Sequence, residues 1–161
     1  MDTFSNLVNK LCKGGAYLSG FFLVALVLMI LTEIFLRSFF DISTMIADEY
    51  SGYFYLASIF LGLAYTFNQN AHIRINIVTS KLSRKANRKI DIFAGIITVA
   101  VLIFALWRTI LLAYDSYELE MLSEAVSETP IYLTQLAMPV GISLMILAVI
   151  AFIFKGFKSD I

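Results

Sequence analysis

An all-α integral membrane fold, with four transmembrane helices and both termini in the cytoplasm, is predicted by three observations. Four long apolar stretches recur at about residues 15–40, 45–67, 90–114 and 131–154. Basic residues collect in alternate connections: Lys10 and Lys13 before the first stretch, Arg74, Lys81, Arg84, Lys85, Arg88 and Lys89 between the second and third, Lys155 and Lys158 after the fourth. Bulk composition agrees, because 60% hydrophobic residues and a mean hydropathy of +0.83 are more than a soluble domain of 161 residues can hide from water. Each stretch holds the ~20 mostly apolar residues that a helix needs to cross a ~30 Å hydrocarbon core. Little mass is left outside, so residues 1–161 read as a single membrane domain.

Ten of the twelve bases lie on one predicted side, and the connection 115–128 has none, so the positive-inside rule places the termini and the loop 70–89 in the cytoplasm. Arg37 and Arg108 are the exceptions, each near an outer helix end where a long side chain can snorkel to the interface.

The N-terminal segment 1–11 predicts a short amphipathic lead-in, with Phe4, Leu7, Val8 and Leu11 on one stripe. It does not read as a cleaved signal peptide, since the apolar run is too long and no small-residue cleavage site closes it. The ending KGFKSDI reads as a natural terminus. In span one, Glu33 and Arg37 are four apart and share a face, either as an intrahelical pair or as a face turned toward another helix. Asp48 and Glu49 open span two on the same outer side, where one of them can link to Arg37 or both can complement the helix dipole.

Ala57, Ser58, Gly62 and Ala64 predict close backbone packing along span two, while Tyr50, Tyr53, Phe54 and Tyr55 fit an interfacial belt. The basic loop 70–89 contains His72 and Arg74 and is foremost a topology signal and a surface for anionic lipid heads. A proton relay through His72 is the alternative. Ser83 is a candidate cap for span three. Beyond it, the acidic periplasmic loop 115–129 carries Asp115, Glu118, Glu120, Glu124 and Glu128, and the spacing of Leu119, Leu122 and Val126 predicts an amphipathic continuation of span three. With Asp41, Asp48 and Glu49, eight of twelve acids lie on the outer side. Solvation accounts for them, and so does a docking surface for a basic soluble partner. Span four opens with Thr129 as a hydroxyl cap before Pro130, carries Gln135 as a donor or acceptor toward a neighbouring helix, and loosens or kinks at Pro139.

Several chemistries are excluded by count. Cys12 is the only cysteine, so a paired-thiol oxidoreductase cannot be built within one chain. His72 is the only histidine, which removes bis-histidine haem and His-rich metal cages. No Gly-rich phosphate loop occurs. No catalytic residue, cofactor or metal is predicted, and the chain does not read as an enzyme.

An acid opening span two, the run FLGLAY, the step into HIRIN, and TPIYLTQLAMPVG in span four together resemble the small, four-helix (DctQ/SiaQ-type) membrane subunit of tripartite ATP-independent periplasmic (TRAP) transporters. In that family span four opens with a proline, and a glutamine and a Pro-Val/Ile-Gly step follow, at the spacing of Pro130, Gln135, Pro139 and Gly141. Many relatives carry a tryptophan before the span-two acid, where this chain has Met45, Ile46 and Ala47. The resemblance covers nearly the whole chain. It implies a multi-pass protein of the bacterial inner membrane that scaffolds a large, sodium-coupled transport subunit and helps a periplasmic substrate-binding protein dock for organic acid uptake, with sialic acid and dicarboxylates among the family's substrates. The implied partners are those two proteins and membrane lipid, with no nucleic acid. Candidate helix-pairing or partner positions are Glu33, Arg37, Asp48, Glu49, Gly62, His72, Arg74, Gln135 and Pro139. Candidate docking residues are Asp115, Glu118, Glu120, Glu124 and Glu128. The alternative is an autonomous homo-oligomeric channel or small carrier, whose weakness is the lack of polar residues at depth.

Overall fold

A computed structural model describes residues 2–69 and 84–158. Its helices are α1 (Asp2–Phe40), α2 (Ala47–Asn68), α3 (Arg84–Glu118), α4 (Ile131–Gln135) and α5 (Ala137–Lys158). Among the described residues there is no strand, only an isolated antiparallel bridge between Leu122 and Pro130. Three stretches are long and apolar enough to cross a membrane: Phe4–Phe40, Lys89–Glu118 and Ile131–Lys155, with mean hydropathies of 2.4, 2.4 and 2.6. At 22 residues α2 matches a bilayer in length but falls outside that set. Its tyrosines, serines and glycines lower its hydropathy, although the same small residues let its neighbours approach.

The helices form a row, α1 against α2, α2 against α5, α5 against α3, with α1 also leaning on α5. Small groups set the spacing and the register. Ser19 Oγ donates to the Ser58 carbonyl at 2.6 Å, and Asn68 Nδ2 donates to Asn9 Oδ1 at 3.0 Å, so α1 and α2 run antiparallel. A Cβ on Gly15 would stand 2.8 Å from the Leu61 carbonyl oxygen, and one on Gly141 only 2.2 Å from that of Phe60. Gly95 lies against Ile153, and the Tyr117 and Tyr132 rings meet edge-on at 5.3 Å, which sets α3 antiparallel to α5.

The buried cluster is Val8, Cys12, Ala64, Met145, Ala148 and Val149. The predicted lead-in is therefore corrected in one respect, that it is not a separate segment. It is continuous with span one as a single 39-residue helix, and of its proposed stripe only Val8 is buried, while Phe4, Leu7 and Leu11 are exposed. The inward line is Val8, Cys12, Gly15 and Ser19, a set at helical spacing chosen for small size.

The predicted extension of span three through Leu119, Leu122 and Val126 also fails. α3 ends at Glu118, and all three side chains are exposed. Glu120 takes a left-handed backbone (φ 49°), Met121 N donates to Ser116 O at 3.0 Å, and Glu120 N donates to Tyr117 O at 3.2 Å. This pattern is a Schellman cap, which satisfies the last carbonyls and turns the chain away. The connection 119–130 then closes as a compact loop, with Ser123 N donating to Thr129 O at 2.9 Å and Ile131 N to Met121 O at 3.1 Å.

Span four is broken where Pro139 has no N–H for the Gln135 carbonyl, and Leu136 separates α4 from α5. The expected Thr129 cap is absent: Pro130 is the N-cap residue and no side chain caps the helix. Thr129 is instead engaged by α2, as described next.

Candidate functional site

Among the described residues the densest side-chain hydrogen bonding lies at the predicted outer end, where two carboxylates each fasten one loop. Glu33 is 8% exposed. Its Oε1 accepts from Arg37 Nη2 at 3.1 Å and Ser43 Oγ at 2.7 Å, and its Oε2 accepts from the Thr44 backbone N–H at 3.1 Å and Thr44 Oγ1 at 2.5 Å. The acid thus holds the loop 41–46, whose Asp41 and Met45 both adopt left-handed backbones (φ 55° and 57°). Such conformations cost energy for side chains other than glycine and persist when the surroundings over-determine them.

Arg37 does not reach Asp48 or Glu49. It pairs with Glu33 and donates to Ser43 Oγ at 3.1 Å, which corrects the proposed bridge between spans one and two. Asp48 lines a cleft of about 230 Å³ with Ile30, Glu33, Ile34, Arg37, Ala47 and Ser51. Its own carboxylate has no hydrogen-bond partner among the described residues.

Glu49 accepts from Tyr53 Oη at 2.6 Å and from Ser127 Oγ. Ser127 Oγ is 2.8 Å from Thr129 Oγ1, which is 3.0 Å from Tyr50 Oη. Residues read as a dipole complement and an aromatic belt therefore pin the loop 119–130 to the start of α2. The Glu49–Tyr53 spacing of four was a usable local signal, but nothing local pointed to Ser127 or Thr129.

Gly62 faces Ser19, whose Oγ would lie 2.9 Å from an added Cβ, so it serves pairing within the chain. Gln135 does not bond across to a neighbouring helix: its Oε1 is buried without a partner among the described residues. Pro139 is buried at the start of α5. His72, Arg74 and Ser83 lie outside the described residues.

Asp115, Glu118, Glu120, Glu124 and Glu128 are all exposed, and among the described residues none of their carboxylates has a hydrogen-bond or ionic partner. Glu118 and Glu120 line a hollow of about 470 Å³ together with Tyr117, Met121, Leu122, Pro130 and Tyr132. Among the described residues no three His, Cys, Asp or Glu side chains converge to hold a metal ion.

Because Glu33 carries three bonds to the loop, Glu33→Ala should lower the thermal midpoint more than Arg37→Ala, which removes a side chain already 61% exposed. Thermal scans of the two variants in one detergent check the order, and equal losses would show that the loop does not depend on the carboxylate.

Known proteins place this arrangement. A Haemophilus influenzae protein described as a TRAP transporter small permease is 25% identical over 130 residues, covering 81% of this chain and 79% of that protein. Residues 26–159 match the family described as tripartite ATP-independent periplasmic transporters, DctQ component. With four-fifths of its length inside that match, the chain belongs to the DctQ family of TRAP transporter membrane components.

Proposed function

We propose that the chain is the four-span scaffold subunit of a TRAP transporter of the bacterial inner membrane, bracing a large sodium-coupled subunit and helping a periplasmic binding protein deliver an organic acid. The observation that carries this reading is the distribution of contact. Only 6% of the most apolar part of α1, and 6% of that of α3, is buried inside the chain, against 28% for 131–155. Broad apolar flanks are thus left for lipid and for a large membrane partner. Glu33 and Glu49, near the predicted outer face, are committed to fastening loops, away from the depth where secondary transporters place their substrate and ion sites.

A crossing by α2 is supported by its place between α1 and α5, both of which are apolar enough to span. The register supports the same picture. With Ser19 beside Gly62, Phe60 beside Gly141 and Ile153 beside Gly95, the basic ends Lys13, Lys155 and Lys89 step progressively toward one side across the row. Arg37, Asp48 and Arg108 step the same way at the other side, leaving roughly 20 residues of each helix between the two boundaries. The row therefore leans in the bilayer. Polarised infrared spectroscopy of oriented membranes should report a mean helix tilt of roughly 30–40°, at the upper end of the usual range. A mean tilt near zero would contradict this placement.

The subunit reading is tested by extracting the tagged chain in mild detergent and identifying what remains bound. One larger multi-span protein at equal stoichiometry supports it. A stable homo-oligomer without such a partner overturns it in favour of a channel made by this chain.

A further inference from the structure

The cleft of about 230 Å³ between the outer ends of α1 and α2 is charged at its rim and apolar below it. Arg37 lines it from α1 and Asp48 from α2. Ile34 and Ile30 line it further along α1, about 4.5 Å and about 10 Å inward of the arginine at the helical rise per residue. Glu33, the other carboxylate of the cleft, has its oxygens filled by Arg37, Ser43 and Thr44. Both bonds that Arg37 makes within the chain leave from Nη2, so Nε and Nη1 have no partner among the described residues. The Asp48 carboxylate is likewise unpartnered among them, and it does not cap α2, whose N-terminus has no side-chain bond. The rim therefore offers cationic donors on one wall and anionic acceptors on the other, above hydrocarbon.

We infer that this cleft holds a phospholipid with a protonated amine head, phosphatidylethanolamine in chemistry, with its phosphate on Arg37, its ammonium on Asp48 and one acyl chain over Ile34 and Ile30. The inference rests on the membrane placement above, in which Arg37 and Asp48 lie at the outer boundary. Charge selects the occupant. A guanidinium is suited to phosphate, and an ammonium gives a carboxylate charge-assisted hydrogen bonds. A head that carries only phosphate would set its charge against Asp48. A lysine or arginine from a protein would satisfy Asp48 but stand against the like charge of Arg37. A choline head has both charges, yet it has no N–H to give Asp48 and its methyl groups hold the nitrogen away from the carboxylate. The order of groups agrees as well, since the head lies at the rim and the isoleucines follow on the side toward the membrane interior, where the chain must run.

The test uses the complex of this chain with its large partner, purified in mild detergent. Five photoreactive phospholipids are added separately, each with a diazirine in the upper part of one acyl chain and differing only in the head: ethanolamine, N-methylethanolamine, N,N-dimethylethanolamine, choline and glycerol. After irradiation, labelled residues are mapped. Label at Ile30 and Ile34 is expected to fall in steps from ethanolamine to choline as N–H groups are lost, with glycerol no better than choline. Asp48→Asn should bring the ethanolamine probe down to the choline level, a loss of about tenfold, in the range of a hydrogen bond to a charged group. Arg37→Gln should weaken both probes alike and keep their ratio, because they share the phosphate. Equal label from ethanolamine and choline overturns the inference, because the cleft is then ordinary lipid-facing surface. Strongest label from glycerol overturns it, because Arg37 then acts without Asp48. Absence of label at Ile30 and Ile34, with label on the exposed faces of α1 and α3 elsewhere, overturns it too, because a protein segment then covers the cleft. The series of heads on the unaltered chain decides the matter even where a variant folds poorly. Partner recovery is read on the same sample, so failure of the subunit reading appears as a missing large protein whatever the lipid result.

Discussion

Gly141→Ala should force α2 and α5 apart and destabilise the chain by about 1–3 kcal/mol, the range for overpacking a tight contact. The added methyl would stand 2.2 Å from the Phe60 carbonyl oxygen, 2.5 Å from its carbon and 2.8 Å from the Phe60 Cβ. Two of these atoms are backbone in the middle of α2, so no rotamer change relieves the clash and a whole helix must move. Gly141 does not have a positive φ, so the glycine is present for space and not for a turn. That distinction predicts a graded series. Gly15 comes second, facing the Leu61 carbonyl oxygen at 2.8 Å. Gly62 faces only Ser19 Oγ at 2.9 Å, a side chain that can rotate at the cost of its bond to Ser58. Gly95 meets the Ile153 side chain, with Cγ1 at 2.8 Å, and Gly14, Gly20 and Gly52 have nothing within 4 Å. Alanine at the last three should be neutral or gain about 0.4–1 kcal/mol through the unfolded state. Thermal scans of the seven variants in one detergent check the order. A Gly141 variant as stable as the Gly20 variant would mean that α2 and α5 are not packed at this distance.

The same contacts explain which parts of the structure were legible in the sequence. Helix positions were readable because length and hydropathy are properties of a single segment: spans expected at 90–114 and 131–154 lie within Arg84–Glu118 and the broken pair Ile131–Gln135 and Ala137–Lys158. The kink at Pro139 was readable because the missing N–H is local. The inward face was not readable from apolar periodicity. Lipid is as apolar as leucine, so Phe4, Leu7 and Leu11 lose nothing by facing out, and the interior is marked by small size at Cys12, Gly15 and Ser19. Small residues did mark α2 correctly as the closely packed element, and the same signal applied to span one would have found its inward line. The outer end was the least legible. Glu49 bonds a serine 78 positions away and Tyr50 a threonine 79 away, and no local pattern encodes such pairs. The helix stop at Glu118 was missed because the left-handed residue that makes it is Glu120, where a glycine would have announced the turn.

Reversal of Glu118, Glu120 and Glu124 to lysine should slow productive docking of the binding protein about tenfold or more at low salt, within the range that electrostatic steering contributes to association rates. These acids are suited to that role because their charge is unspent. Glu33 and Glu49 are consumed by hydroxyl and backbone donors that hold two loops, whereas the three reversed residues are exposed and their carboxylates have no partner among the described residues. No base lies between Asp115 and Glu128 to cancel them, and Glu118 and Glu120 line the hollow beside Tyr117 and Tyr132. The substitutions therefore invert a surface field while leaving the bonds that shape the loop in place. The salt dependence separates this effect from misfolding. The Debye length shrinks from about 30 Å at 0.01 M salt to about 8 Å at 0.15 M, so a steering defect should fade as salt rises. A folding defect at the loop would persist at every ionic strength. The corresponding glutamine variants remove the attraction without adding repulsion and should fall between wild type and the lysine variants. Transport into proteoliposomes at several salt concentrations, with the binding protein limiting, reads all three sets. Rates that match wild type throughout would leave the outer acids as a solvated surface and move the docking role to another part of the complex.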